Sequence, residues 1–355
     1  LFFPKMELNN RYVLNELIAR GGMGEVWLGR DKLLDRNIAI KTTIQGSEKQ
    51  AISIFFDEAK TGASLIGHPN IVSVLDYGIL EKSDISFEYH YIVMEYIDGM
   101  NLNEFVSKYK TILDEETYYY LALYISWEIC KALDYAHKQN ILHRDIKPLN
   151  IFLSKFGVTR VGDFGLARYI DAATRTHTVV NFKSPAYAAP EQWKGEKHSI
   201  ETDLYQLGCT IYHLLTGSCV FNKSNIALMH AHLNESPVQP NEINKRLPKE
   251  ISDAIFGLIK KEKSDRKELW EVNDAIAKEL QKRLTLSVTV QNDIEIKKIA
   301  DITDFGIEGL KEGNFSFEFP DFSEAISEGL QLLLAGITNF KLYLEKQKVE
   351  KEKTA

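Results

Sequence analysis

From Arg11 to Lys41, short β-branched and aromatic runs alternate with glycines and polar breaks, the pattern of short antiparallel strands joined by tight turns. A helical stretch follows around Ser53 to Leu65, and then strand-like sequence through Tyr91-Ile92-Val93-Met94-Glu95-Tyr96. After the breaker Asp98-Gly99 the period changes. Ile125, Ile129, Ala132, Leu133 and Ala136 recur at steps of four, three, one and three, which is one apolar face of a helix. The expected class is α+β with two lobes: a β-rich lobe over 11–97 and a helical lobe over 98–283, with an N-terminal extension over 1–10. A cleft between such lobes is the usual place for a small-molecule site.

Beyond residue 284 the pattern predicts a mainly helical appendage, 284–355. It holds a strand-like Leu286 to Val290, a helix over Ile294 to Lys311 and a final helix from about Phe322 into a mixed-sign run, Glu345 to Lys353. Gly309 to Gly336 faintly matches one helix pair of a tetratricopeptide array, but no fixed period runs through the chain. An interaction or regulatory role for this appendage is favoured narrowly over helices that merely cover apolar surface of the large lobe.

The chain has 355 residues, with 43 Lys plus Arg against 50 Asp plus Glu, a formal net charge of −7. That balance removes the phosphate-neutralising drive for non-specific nucleic-acid binding. Three cysteines without C-x-x-C spacing (Cys130, Cys209, Cys219) give neither a disulfide framework nor a thiolate metal site, and a cytoplasmic setting is expected. The longest apolar run near the end, Leu330 to Phe340, is shorter than the roughly 20 residues that span a bilayer, so no membrane segment is expected. The chain starts at Leu1 and reaches its first methionine at Met6, as an excised or processed piece would.

Three motifs bear chemistry. Ile18-Ala19-Arg20-Gly21-Gly22-Met23-Gly24-Glu25-Val26 puts three glycines in a turn between strand-like runs, where absent side chains let backbone N–H groups approach phosphate oxygens. Taken alone, such a turn is more often a plain hairpin. Fifteen residues past Val26, Lys41 ends the apolar strand Ile38-Ala39-Ile40; a buried ammonium there needs a partner, and Glu58 on the following helix could supply it. The third is His143-Arg144-Asp145-Ile146-Lys147-Pro148-Leu149-Asn150, followed eighteen residues after Asp145 by Asp163-Phe164-Gly165. Two carboxylates and a carboxamide offer the hard oxygen ligands that a nucleotide-bound Mg²⁺ requires.

In this order the motifs resemble a eukaryotic-type (Hanks-type) Ser/Thr protein kinase, with Arg20-Gly21-Gly22-Met23-Gly24-Glu25-Val26-Trp27 closest in wording to bacterial members. The resemblance covers about Arg11 to Arg283 and includes Met94-Glu95-Tyr96-Ile97, Ala189-Pro190-Glu191, Asp203 and Arg266. It implies ATP as substrate and Mg²⁺ as cofactor, with Mn²⁺ as a substitute. Lys41 would hold the α- and β-phosphates and pair with Glu58; Asn150 and Asp163 would hold the metal; Asp145 would take the acceptor proton and Lys147 would neutralise the transferred phosphoryl group. Adenine would lie between Ile18, Val26 and Ala39 above and Phe152 below, bonded to the backbone of Glu95 and Ile97, with Met94 at the back.

The match has departures. Ala19 replaces the first loop glycine, Phe152 stands where an aliphatic residue is more usual, and Lys183-Ser184-Pro185 replaces the commoner Gly-Thr lead-in. Thr174, Thr176 and Thr178 are candidate autophosphorylation sites, since family members with an arginine at the position of Arg144 pair it with a phosphate on this loop. The partners expected are a protein substrate, a second copy of the chain for phosphorylation in trans, and a protein at the appendage. A silent pseudokinase scaffold is the competing reading, but it would lack Lys41, Asp145 or Asp163. A small-molecule phosphotransferase fits poorly with Ala189-Pro190-Glu191, Asp203 and Arg266. Asp304-Phe305-Gly306 repeats the metal tripeptide without its upstream partner, and Thr303 or Asp304 reads as a helix N-cap.

Overall fold

The computed structural model describes residues 2–21, 24–43, 49–80, 89–164, 184–281, 284–290, 292–303, 313–319 and 322–344. Six antiparallel strands build the small lobe: β1 (Glu7–Leu8), β2 (Tyr12–Gly21), β3 (Gly24–Asp31), β4 (Arg36–Thr42), β5 (Val74–Leu80) and β6 (Tyr89–Glu95). Their order across the sheet is β1-β2-β3-β4-β6-β5. Alternation along β3 and β4 sends Trp27, Ile38 and Ile40 into a core with Leu14, Tyr91 and Val93. Met6 and Leu8, from the stretch expected as an N-terminal extension, enter the same core, and β1 pairs with β2. Helix α1 (Lys49–Ser64) lies against β5 and β6 through Phe55, Ala59 and Ile92.

The large lobe opens with β7 (Gly99–Asn101) and α2 (Leu102–Tyr109). Asn101 caps α2, accepting from Glu104 N while the Glu104 carboxylate accepts from Asn101 N. Helix α3 (Glu115–Lys138) is capped by Asp114 and is the central pillar, buried along most of its length. The hairpin β8 (Ile151–Ser154) and β9 (Thr159–Val161) pairs with β7. Helices α4 (Pro190–Trp193), α5 (Ile200–Thr216), α6 (Asn225–Asn234), α7 (Pro240–Ile243), α8 (Lys249–Leu258) and α9 (Leu269–Leu280) complete the lobe. α5 stops at Gly217, whose φ of +81° is the left-handed conformation that glycine adopts without a steric cost.

The C-terminal unit departs from the mainly helical expectation. It alternates β10 (Leu284–Val290), α10 (Asp293–Ile302), β11 (Gly313–Glu318), α11 (Phe322–Leu334) and β12 (Phe340–Leu344), with a sheet ordered β11-β10-β12. The period-two pattern explains this: Leu286 aligns with Phe317 and Leu342, and Val288 with Phe315 and Phe340, so one face is apolar across three strands. The helix expected to reach Lys311 ends at Ile302. Thr303 turns its hydroxyl back onto Ile299 O at 2.7 Å and closes that helix instead of opening one. The final helix stops before Gly336, and β11 replaces the first helix of the imagined tetratricopeptide pair. The run Glu345 to Lys353 and Asp304-Phe305-Gly306 lie outside the described residues. Leu286, Val288, Ile326, Leu330, Phe340 and Leu342 share one continuous core with the large lobe.

Candidate active site

A cleft of about 560 Å³ lies between the lobes. Its upper wall is β-sheet: Ile18, Ala19 and Arg20 on β2, Gly24 and Val26 on β3, and Ala39 and Lys41 on β4. Met94, Glu95 and Ile97 form the back, and Phe152 lies below. Asp145, Lys147, Asn150 and Asp163 line the floor toward the large lobe. Residues up to 122 positions apart in sequence, from Lys41 to the polar loop and Asp163, therefore meet in one place.

Some expected residues stand apart from that lining. Gly21 ends β2, paired with Gly24. Glu25 directs its carboxylate to Arg20 and to the indole of Trp27. Glu58 lines a smaller pocket behind Lys41, with Gly62 and Phe164. Gly22, Met23, Thr174, Thr176, Thr178, Lys183 and Gly165 lie outside the described residues.

Lys41 donates to Glu58 Oε1 at 2.7 Å, and the two side chains are only 5% and 8% exposed. Asp163 Oδ1 is 3.8 Å from the same ammonium. Burial pulls the Lys41 pKa down, but Glu58, Asp163 and Asp145 outweigh it, and the ammonium ends above its ordinary value. A strand ending in a buried cation is stable only because α1 delivers this carboxylate. The charge is thus fixed at the cleft wall.

On the floor, Lys147 Nζ donates to Asp145 Oδ2 at 2.6 Å. The Asn150 amide nitrogen donates to Asp145 O at 2.8 Å and to Oδ2 at 3.2 Å, which leaves the Asn150 side-chain oxygen for another partner. That oxygen and the Asp163 carboxylate are a hard donor set, and Mg²⁺ bound to a nucleotide commonly takes only one or two protein ligands, so the residues fit such an ion. Gly162 N donates to Asn150 O at 2.9 Å, tying the segments that bear both groups.

The loop bearing Asp145 is held from beneath. Buried Asp203 on α5 accepts from His143 N at 2.8 Å and Arg144 N at 2.7 Å, and from His137 Nε2 at 2.9 Å. Gln206 accepts from Ile146 N and donates to Arg144 O, each at 3.0 Å. Arg144 and Asp163 adopt φ values of +69° and +60°, costly for residues with a Cβ, and the bonds from α5 hold Arg144 there. Asp145 N donates to His143 Nδ1, so the proton sits on Nε2 and is given to Gly162 O at 2.8 Å. Phe164 packs on that imidazole with ring centroids 4.6 Å apart.

Arg266 clasps Glu191 with two bonds of 2.7 and 2.8 Å in near-complete burial. Burial pushes the Glu191 carboxyl up, and Arg266 overcomes this to leave it below its ordinary value. The pair anchors α4 next to Ser184 and Tyr187, and the Tyr187 hydroxyl in turn meets His213 Nδ1 at 2.7 Å.

Sequence reasoning missed several contributors. Asn101 and Glu104 line the cleft mouth, where their capping box could have been noticed from an Asn three residues before a Glu. Arg160 bonds the Glu95 carboxylate at 3.2 Å, which ties the hinge to β9. Glu128 on α3 accepts from Asn70 Nδ2 at 2.9 Å and Thr159 N at 2.7 Å. Nothing in the local pattern flags these last pairs, because their partners lie 31 to 65 residues apart.

Comparison with known proteins gives the same family as the motifs. The protein kinase domain family matches residues 12–292. The serine/threonine-protein kinase PrkC of Bacillus subtilis is 34% identical over 83% of this chain and 45% of that protein. The serine/threonine-protein kinase PknB of Mycolicibacterium smegmatis is 34% identical over 73% of this chain and 41% of that protein. The chain therefore spans less than half the length of these curated relatives. The kinase domain structure of Mycobacterium tuberculosis PknI superposes with a TM-score of 0.58 at 23% identity, over 78% of this chain and 99% of that one, and shares the fold. Among the described residues no helix is long and apolar enough to cross a membrane. The two-lobed architecture, the cleft and the matched span together place this chain in the protein kinase family, where it is similar to bacterial Ser/Thr kinases.

Proposed function

We propose that the chain transfers the γ-phosphate of ATP to Ser or Thr hydroxyls of proteins, in a cytoplasmic setting. The observation that carries this reading is the convergence of the Lys41–Glu58 pair, Asp163, Asn150, Asp145 and Lys147 at one cleft beneath β2, β3 and β4. Adenine fits between Ile18, Val26, Ala39 and Phe152, with Met94 limiting depth and Glu95 and Ile97 at the rear edge. Lys41, held charged by Glu58, takes the α- and β-phosphates. Asn150 and Asp163 would hold Mg²⁺, or Mn²⁺ in its place, which when bound would neutralise phosphate charge.

The acceptor oxygen attacks the γ-phosphorus while the bond to the bridging oxygen breaks and ADP leaves with that electron pair. Asp145 orients the hydroxyl and receives its proton. Lys147, 2.6 Å from Asp145, balances charge on the moving phosphoryl group. Ala19 in place of a glycine leaves Gly21 and Gly24, and Ser184 lines the same cleft as Asp145 and Lys147.

Radiolabelled transfer from ATP onto a generic protein acceptor, and onto the chain itself, tests the reading. Wild type should label both and Asp145→Asn neither; nucleotide binding without transfer by the wild type would instead support the silent scaffold. Intact mass after incubation with Mg²⁺ and ATP tests modification of Thr174, Thr176 or Thr178, with a phosphate paired to Arg144 as the ordering contact. A concentration-dependent rate would indicate phosphorylation between copies. For the C-terminal unit, the shared core supports a structural part in the large lobe over the protein-partner surface expected from sequence.

A further inference from the structure

The hairpin of β8 and β9 runs directly from Asn150 to Asp163. Asn150 precedes β8, Gly162 and Asp163 follow β9, and the Gly162 N to Asn150 O bond closes its open end. The far end of this ribbon is the turn at Phe156-Gly157. Gly157 has φ +71°, and a Cβ placed on it would lie 2.4 Å from Ser327 O and 2.7 Å from Ser327 Oγ. Ser327 belongs to α11 of the C-terminal unit, so the tip of the ligand-bearing hairpin is seated directly on that unit.

Helix α11 is itself fixed to the lobe. Phe322 meets Trp127 edge-on with centroids 5.5 Å apart, and the Tyr109 hydroxyl donates to Leu333 O at 3.2 Å. An added Cβ on Gly329 would meet Phe340 at 3.2 Å, so the helix lies close on β12, whose Leu342 N donates to Thr117 Oγ1 at 2.9 Å. α3 thus carries both sides: it holds β12 and Phe322 on one flank, and through Glu128 and Thr159 N it holds the hairpin on the other. A close-packed interior transmits displacement instead of absorbing it. A push at Gly157 must move the ribbon that sets the spacing of Asn150 and Asp163.

We infer that Ser327 and Gly157 form a positioning contact through which the C-terminal unit sets the geometry of the two candidate metal ligands. The unit is on this account part of the catalytic lobe. The inference rests on the kinase reading for its consequence in activity, but its structural half does not.

The test uses the full chain. Gly157→Ala adds one methyl at the contact, and Gly195→Ala is its control, since Gly195 has φ +69° with nothing within 4 Å of an added Cβ and so carries the same backbone strain without the contact. Phe322→Ala loosens α11 from Trp127 without adding atoms at the turn. Two quantities are read: amide exchange over residues 151–162 in nucleotide-free protein, and the Mg²⁺ concentration giving half-maximal phosphate transfer. Gly157→Ala and Phe322→Ala should each raise hairpin exchange about tenfold and the Mg²⁺ requirement about fivefold, while Gly195→Ala shifts neither. Wild-type values of both in Phe322→Ala, or equal shifts in Gly195→Ala and Gly157→Ala, would overturn the inference. If Gly157→Ala does not fold, Phe322→Ala decides alone. A wild type that transfers no phosphate defeats the kinase reading, and the exchange measurement then still decides the contact.

Discussion

Replacing Asp203 by Asn changes one oxygen to an amide nitrogen and leaves the volume of this fully buried side chain nearly the same. The carboxylate accepts at Oδ1 from Arg144 N, and at Oδ2 from His143 N and His137 Nε2. Asparagine can place its oxygen at only one of those positions. The better orientation keeps His143 and His137 and turns NH₂ toward Arg144 N, so a buried donor faces a donor. An unsatisfied buried group costs about 1–3 kcal/mol, and here both the Arg144 amide and one amide hydrogen of the new residue lose partners, about 2–6 kcal/mol in all. Arg144 then has less to hold it in the left-handed region, and Asp145 follows it in the chain. If about 2 kcal/mol of that loss falls on the positioning of Asp145, kcat drops roughly 30-fold. The ATP KM should move little, because Lys41 and the hinge belong to elements that Asp203 does not touch. Urea unfolding gives the stability change and steady-state phosphate transfer gives the kinetic split. Stability within about 0.5 kcal/mol of wild type, a typical surface-substitution effect, with kcat within about twofold, would refute the assignment of Asp203 as the support of this loop.

Glu58→Gln keeps a hydrogen bond to Lys41 but removes its nearest counter-charge, and should lower kcat/KM for ATP by about 10- to 100-fold, corresponding to roughly 1.4–2.7 kcal/mol; an unchanged value by steady-state kinetics would contradict the pairing. Lys41 has a raised folded pKa, so its contribution is whole below its unfolded value of 10.5 and is lost only as the pH rises through the higher folded value, leaving stability insensitive to this group at pH 6 to 9. The Glu191 folded pKa is lowered, so its contribution is whole above 4.5 and is lost as the pH falls through the folded value; Glu191→Gln should flatten the acid limb of a denaturation series below pH 4.5. Burial holds the His232 imidazole down at about 3, so the unfolded chain binds a proton that the native one refuses, and stability falls as the pH drops from 6.5. That loss is about 2 kcal/mol by pH 5, and His232→Gln should abolish it in the same series.

The sequence showed the cleft better than it showed the molecule around it. Lys41, Asp145, Asn150 and Asp163 could be found because each sits in a short motif whose spacing is set by local backbone: a strand end, a polar loop, a turn entering Asp163. Glu58 was found by need, since a lysine closing an apolar strand demands a carboxylate. Arg160 and Glu128 have no such local mark. The Glu95 carboxylate that meets Arg160 and the Asn70 and Thr159 N–H groups that Glu128 accepts from arrive through tertiary packing, and an Arg on a short strand reads as surface charge until the hinge is beside it.

The C-terminal unit was misread for a related physical reason. Phe315, Phe317, Phe340 and Leu342 alternate with polar residues over only five or six positions, too few for a strand period to stand out beside the helical run of α11. Their apolar face has meaning only once Leu286 and Val288 lie between them, and that requires pairing across up to 56 residues of sequence. Non-local pairing of this kind is also what gives the unit its place against Gly157: β12 sets α11 through Gly329, and α11 sets Ser327. A change on the apolar face of β12, such as Leu342→Ala, should therefore be felt at the hairpin as well as in stability. The cavity it opens costs about 2–5 kcal/mol, and amide exchange over 151–162 should rise more than exchange in the small-lobe sheet, which shares no core residue with Leu342. Equal increases in both would mean that the large lobe transmits nothing specific to the ribbon between Asn150 and Asp163.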